Sequence, residues 1–336
     1  MKTEALQVTK PFSAATLVID PAAETERIVT ALREQLRSFR KRGLVLGVSG
    51  GIDSSVSTAL AVRAVGAQNV CCLFMPENDS DPESLRLGRL VTETFGVDGV
   101  VEDIGPALKA MGCYERRDGF IRRLVPGYGP GWASKIVIAN TLEGGYNISW
   151  LVVQDPEGNQ TRHRMTSEVY LGIVAATNMK QRTRKQIEYY HADRLNFAVI
   201  GTPNRLEYDQ GFFVKNGDGS ADVKPIAHLY KTQVYAMARH LGLPDRVCEA
   251  QPTTDTYSLE QGQDEFYFAL PYRSMDLALW ALEHGVEAGE LAKALDITPV
   301  QAAAVYEDIA RKRRTTRPLH LRPLLLGTVP SVDAAT

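Results

Sequence analysis

Residues Leu44 to Leu60 read LVLGVSGGIDSSVSTAL. A short apolar run meets Ser49, Gly50, Gly51, Asp53, Ser54 and Ser55, and a helical pattern then begins. A buried strand that runs into a helix through glycines builds a phosphate site at the carboxyl edge of an open α/β sheet. Gly50 and Gly51 permit a tight turn with N–H groups pointing inward. The serines add hydroxyl donors, and the helix N-terminus adds partial positive charge. Asp53 would repel a phosphate unless a cation sat between them. Magnesium suits that place, since it is commonly held by one or two carboxylates plus phosphate oxygens. A bare helix cap would explain one of these residues rather than the set. No lysine follows the glycines, which excludes the GxxxxGK[ST] loop, and GVSGGI does not match GxGxxG.

The surrounding chain alternates strands and helices. Residues 22–41 place Ile28, Leu32, Leu36 and Phe39 on one face of an amphipathic helix, which Gly43 is expected to close. LVLGV (44–48) is a strand, and the helix after it ends at Gly66. NVCCLFMP (69–76) is a second buried strand, 81–96 a helix with an acidic start and a glycine stop, and 97–105 a third strand. A long helix over 167–195, a strand over 196–201 and a helix over 228–242 follow, then helical SMDLALWALEHG and PVQAAAVYEDIARKRR. Near-continuous apolar strands alternating with helices predict an α/β fold with a doubly wound parallel sheet.

Residues 113–165 interrupt this rhythm. RRLVPGYGPGW reads as a loop, and YNISWLVVQDPEGNQTRHRM as a β-hairpin turned at DPEGN. The stretch reads as an insertion into one domain spanning 1–336, and 328–336 as a disordered tail.

The 336 residues carry a net charge of -2, so no global basic field argues for nucleic-acid or membrane binding. The N-terminal residues do not read as a secretory signal, and no apolar run is long enough to span a bilayer. Cys71, Cys72, Cys113 and Cys248 form no CxxC pair and read as reduced thiols of a cytoplasmic protein, with Cys71 and Cys72 packed in the core.

SGGIDSS resembles the pyrophosphate loop of the N-type ATP pyrophosphatases, which cleave ATP between the α and β phosphates and adenylate an oxygen of their substrate. Alone it indicates the superfamily and an adenine nucleotide alpha hydrolase-like, Rossmann-like fold. The second half narrows the resemblance. GTPNRLEYDQGFFVKNGDGSADVKPIAHLYKTQVYAMARHLGLP (201–244) is very similar to the signature region of the NAD synthetase family. NMKQRTR (178–184) resembles its arginine-bearing helix, QPTTDT (251–256) its PTxD loop, and ARKRRTTRP (310–318) its basic C-terminal segment, while QDE (263–265) follows at about the family's distance. From Arg182 to Thr253 the match needs no gap, and it covers most of the chain except 113–165 and the extreme ends.

The resemblance implies amidation of deamido-NAD to NAD in two steps. ATP adenylates the nicotinate carboxylate and releases pyrophosphate; ammonia then attacks the acyl-adenylate and AMP leaves. It implies that Gly47, Ser49, Gly50, Gly51, Ile52, Asp53, Ser54, Thr202, Lys231 and Thr253 contact ATP. Asp53 and Glu207, the latter in a polar loop past the 196–201 strand, would hold Mg2+. Arg182, Lys215, Asp222, Arg311 and Lys312 would contact deamido-NAD, while Arg184 is structural or at a dimer interface. Asp218 would support the residues that touch substrate or act as a base near the incoming ammonia, with Asp53, Lys215, Asp218 and Lys231 forming the catalytic group. Lys231 sits on the first turn of a helix, where a cation opposes the helix dipole. The family's homodimer is expected here, with helix 167–195 at its interface. The residues before Leu44 do not resemble a glutaminase domain and residue 2 is Lys2, so the nitrogen is expected to come as free ammonia or from a separate partner chain. Two departures stand out: Arg311 replaces the family's histidine, and no acidic residue follows Thr202. With the insertion, they leave open a related ATP pyrophosphatase acting on another carboxylate. A non-catalytic nucleotide-binding protein would bind ATP without releasing pyrophosphate.

Overall fold

The computed structural model describes residues 12–138, 149–250, 257–259, 262, 267–268, 270–327 and 329. The tail 328–336, apart from position 329, lies outside them.

Four parallel strands form the central sheet, in the order β3-β2-β1-β7: β1 (Leu44–Gly47), β2 (Val70–Phe74), β3 (Gly99–Val101) and β7 (Ala198–Val199). Neighbouring positions along β1 and β2 serve opposite faces. Leu44, Leu46, Cys72 and Phe74 pack on one side, and Val45, Cys71 and Leu73 on the other. A sheet covered on both faces needs apolar residues at every position, which is why these strands read as continuous hydrophobic runs. Helices α1 (Pro21–Phe39), α2 (Ile52–Val65) and α8 (Lys231–Leu241) share one apolar cluster, together with residues of α3 (Pro82–Phe95). On the other side α4 (Gly105–Ala110) and the 29-residue α6 (Ser167–Leu195) pack against β1 and β2. Cys71 and Cys72 are core residues, as expected.

Several boundaries differ from the sequence expectation. Helix α1 ends at Arg40, which adopts the left-handed conformation at φ 55, while Phe39 stays 44% exposed. Gly43 has another role: a Cβ there would collide with the Asn69 carbonyl and the Phe197 ring, so glycine lets the chain pass closely into β1. The third strand shrinks to Gly99–Val101, because Gly105 already opens α4.

The insertion holds more structure than a loop and a hairpin. Helix α5 (Cys113–Arg122) precedes a three-stranded antiparallel sheet of β4 (Ala133–Ile138), β5 (Ser149–Gln154) and β6 (Gln160–Arg164). The hairpin does turn at DPEGN: the Asp155 N–H donates to the Asn159 carbonyl at 3.0 Å, and Gly158 takes φ 89. Strand β4 escaped notice because Gly127, Gly129, Pro130 and Gly131 lie directly before it. Ile136, Leu151 and Val153 point inward and join Ile121, Tyr128, Val169 and Ile173 in one apolar cluster, so the inserted sheet packs on the first half of α6.

The C-terminal region adds α10 (Tyr272–Glu283), α11 (Ala288–Leu295) and α12 (Pro299–His320), which share a further core. Two shorter helices, α7 (Arg205–Gln210) and α9 (Asp245–Glu249), flank α8 in sequence. Among the described residues no helix is long and apolar enough to cross a membrane.

Candidate active site

The loop after β1 folds onto itself. Ser54 Oγ accepts from the Ser49 N–H at 3.3 Å and donates to the Gly51 carbonyl at 3.0 Å. Ser55 Oγ also donates to that carbonyl, at 2.8 Å, and Ser55 is fully buried, so its hydroxyl braces the turn. Gly50 takes φ 80, and a Cβ there would clash with the Ser84 carbonyl and Leu87 of α3. Glycine is therefore required both by conformation and by space. Gly47 is tight for a second reason: its Cβ would come within 3.2 Å of Glu188 Oε1 on α6.

This loop lines one end of a cavity of about 1200 Å³. Gly47, Ser49, Gly50, Gly51, Ile52, Asp53 and Ser54 all face it. So do Thr202, Glu207, Lys231, Arg182, Lys215, Asp218, Arg311 and Lys312. One strand, several loops and five helices far apart in sequence thus bring nearly all the expected residues to one hollow. Thr253 and QDE (263–265) lie outside the described residues. Asp222 does not line the cavity. Its Oδ2 accepts the Val199 N–H at 2.7 Å, and so braces the end of β7.

Asp53 is the centre of the charged group. It forms a short ion pair with Lys231 Nζ, and its Oδ1 accepts from Asn204 Nδ2 at 3.2 Å. Asn204 also caps α7: its Oδ1 accepts the Glu207 N–H at 3.2 Å, while Glu207 Oε2 accepts the Asn204 N–H at 3.2 Å. Glu207 is therefore on the first turn of a helix, not in a loop, and Asn204 couples it to Asp53. Sequence reading missed Asn204. The signal was Asn at one position and Glu three later, the reciprocal cap pattern. Burial alone would push the Lys231 ammonium down, but Asp53 and then Glu207 outweigh it and hold it above its usual value. These are hard oxygen donors beside a phosphate-type loop, which suits a magnesium–phosphate complex. Among the described residues no group of three or more His, Cys, Asp or Glu forms a metal cage.

Basic and aromatic groups line the cavity as well. Arg182 Nε donates to the Lys215 carbonyl at 3.2 Å, and Lys215 Nζ to the Pro318 carbonyl at 2.9 Å. Arg184, on another face of α6, donates to the Met75 carbonyl at 3.4 Å. On α12 the buried Asp308 pairs with Lys312 at 2.7 Å and Arg311 at 2.6 Å. Burial pushes the Lys312 ammonium down, and its Nζ lies 4.7 Å from the centre of the Tyr267 ring. Phe212 packs against Tyr267 with centroids 4.7 Å apart, which anchors the 211–222 loop. Desolvation pushes the Asp218 carboxyl up, although it accepts the Val214 N–H at 2.8 Å.

A second charged cluster went unnoticed in the sequence. Lys180 is completely buried and pairs with Glu77 at 2.9 Å and Asp79 at 2.6 Å. Arg117 also pairs with Asp79, and the Tyr114 hydroxyl donates to Glu77 at 2.8 Å. This cluster fastens the segment after β2 to α5 and α6, and Ser80 and Asp81 of that segment line the cavity. NMKQRTR drew notice for its arginines, while its lysine held the buried pairing.

The family model described as NAD synthase matches residues 24–120 and 157–317. The chain belongs to the NAD synthase family. The family model passes over 121–156, the heart of the insertion. A protein of Rhizobium meliloti (strain 1021) named NH(3)-dependent NAD(+) synthetase is 74% identical over 323 residues, covering 96% of this chain and 97% of that one. Such coverage leaves too little outside the alignment for the insertion to be missing there. Among solved structures, an NMN synthetase from Francisella tularensis matches with a TM-score of 0.65 at 20% identity, covering 93% of this chain and all of that one. An NH3-dependent NAD synthetase from Campylobacter jejuni matches with a TM-score of 0.60 at 21% identity, covering 92% of this chain and all of that one. At these identities the structural likeness speaks for the fold.

Proposed function

We propose that this chain is an ammonia-dependent NAD synthetase that converts deamido-NAD, ATP and ammonia to NAD, AMP and pyrophosphate. Family membership supports the reaction, and one observation carries the assignment of the site: Asp53, Asn204, Glu207 and Lys231 form one connected group beside the glycine loop. A nicotinate carboxylate oxygen attacks the α-phosphorus of ATP, and the bond to the bridging oxygen breaks. Ammonia nitrogen then attacks the acyl carbon, the bond to AMP breaks, and a proton leaves the nitrogen. Neither step needs a nucleophilic side chain, so the protein contributes position and charge.

In this reading the loop N–H groups and serine hydroxyls hold the phosphates, and Lys231 supports the departing pyrophosphate. Asp53 and Glu207 hold Mg2+, which supplies positive charge to the phosphates. Arg182, Lys215, Arg311 and Lys312 take the dinucleotide. Asp218, which lines the same cavity, receives a proton from the nitrogen in this reading. The protein works in the cytoplasm as a homodimer, using free ammonia or ammonia from a separate chain.

The test is turnover with deamido-NAD, ATP, Mg2+ and ammonium. NAD, AMP and pyrophosphate are expected in equal amounts. Folded protein that forms none of them overturns the reading. Asp53→Asn should lower the rate by about 100-fold or more and weaken the Mg2+ dependence; full activity in that variant would remove Asp53 from the proposed site.

A further inference from the structure

Lys231 is an awkward residue for its place. It is 2% exposed and opens α8, so a cation is buried at the positive end of a helix. The preceding residue, Tyr230, cannot offer the short side-chain oxygen that normally caps a helix. The missing acceptor comes from α10. Asp276, fully buried, accepts the Lys231 N–H through Oδ1 at 3.1 Å and the Thr232 N–H through Oδ2 at 2.7 Å. These are two of the N–H groups that the first turn of a helix leaves unpaired.

We propose that Asp276 is a positioning residue for catalysis: it fixes the start of α8 and offsets the helix charge so that a buried, protonated Lys231 can face Asp53. The arrangement spans the site in one line, from Asp276 through the Lys231 backbone and side chain to Asp53 and then Asn204. Asp276 does not line the cavity, so it acts on substrate only through Lys231. A cap supplied from another helix also differs from an ordinary one. It ties the placement of Lys231 to the packing of α10, where Met275, Leu277, Ala278 and Leu279 are core residues.

The inference rests on the proposed reaction, and the experiment separates the two. Single-turnover pyrophosphate release is measured with enzyme in excess, so that slow variants stay readable. Wild-type protein that releases no pyrophosphate would sink the reaction itself. With wild-type release in hand, Asp276→Asn places an amide N–H group against a backbone N–H. The rate should fall about 10- to 100-fold, with the dependence on deamido-NAD concentration changed less than about twofold. In a Lys231→Met background the same substitution should change the rate less than about twofold, because the group it positions is gone. Equal losses in both backgrounds, or no loss in the first, would overturn the role. Should Asp276→Asn not fold, Asp276→Glu, which keeps the charge but moves it by one methylene, is read by the same comparison.

Discussion

Arg313 grips Asp209 with two parallel hydrogen bonds, Nε to Oδ1 and Nη2 to Oδ2, each 2.7 Å long. The pair joins α12, which carries Arg311 and Lys312, to α7, which carries Glu207. Arg313 also reaches Glu283 on α10 at 3.0 Å, so three helices meet on one guanidinium.

A lysine cannot reproduce that fork. Arg313→Lys should therefore loosen α12 from α7 without touching the cavity. The pair is partly exposed, which limits its worth to about 1 kcal/mol. The KM for deamido-NAD should rise about 3- to 10-fold with kcat changed less than about twofold. Steady-state kinetics check this, and an unchanged KM would mean that α12 is seated by its apolar contacts alone.

Lys180 offers a sharper test of stability. Replacing it by methionine leaves Glu77 buried beside Asp79 without their shared cation. Breaking such a pair costs about 3–5 kcal/mol, read as a fall in the urea midpoint. Burial raises the Asp79 carboxyl, but Lys180 and then Arg117 outweigh this and hold it below its ordinary value. A depressed acid contributes stability that is present above its unfolded value and is lost as pH falls through the folded one. The deficit of the variant relative to wild type should accordingly shrink as pH falls, because wild type loses the Asp79 contribution while protonation relieves the uncompensated carboxylates of the variant.

Asp276 has the opposite sign. Desolvation raises it to about 6, against an opposing pull from the N–H groups of Thr232 and Lys231. A raised acid contributes stability that is full below its unfolded value and is lost as pH rises through the folded one. Relative to Asp276→Asn, the wild-type protein should lose about 2–3 kcal/mol between pH 4 and 7. Urea titrations of both proteins across that range provide the comparison. Parallel curves would place the carboxyl at its ordinary value.

Leu151 probes how the insertion belongs to the molecule. It is 1% exposed, and its cluster reaches from the inserted sheet to Val169 and Ile173 on α6. Leu151→Ala should cost about 2–5 kcal/mol and shift one cooperative thermal transition. A separate early transition, with the rest of the curve unmoved, would show that the insertion folds as its own unit.

The legible parts of this chain were those governed by local rules. Strand β1, helices α2, α3 and α6, and the DPEGN turn follow from apolar runs, periodicity and glycine placement, and the structure keeps them. Motif spacing likewise brought Asp53, Glu207, Lys231 and Arg182 to one cavity. The illegible parts depend on partners distant in sequence. Lys180 finds Asp79 across 101 positions, and Asp276 finds Lys231 across 45. Neither residue differs locally from a solvated surface charge. Phe39 fell on the right helical face but past the end of the covered stripe, where only tertiary packing decides exposure.

Helix α6 has 29 residues and so runs about 43 Å without a break. Its first turns are clasped by the inserted sheet, its middle presents Gln181, Arg182 and Glu188 to the cavity, and Ala192 near its end is set in the core beneath β1 and β2. One unbroken helix thus ties the placement of the inserted sheet to that of two cavity side chains. A change in how that sheet is seated would therefore reach Arg182 and the Glu188 carboxyl beneath Gly47 together.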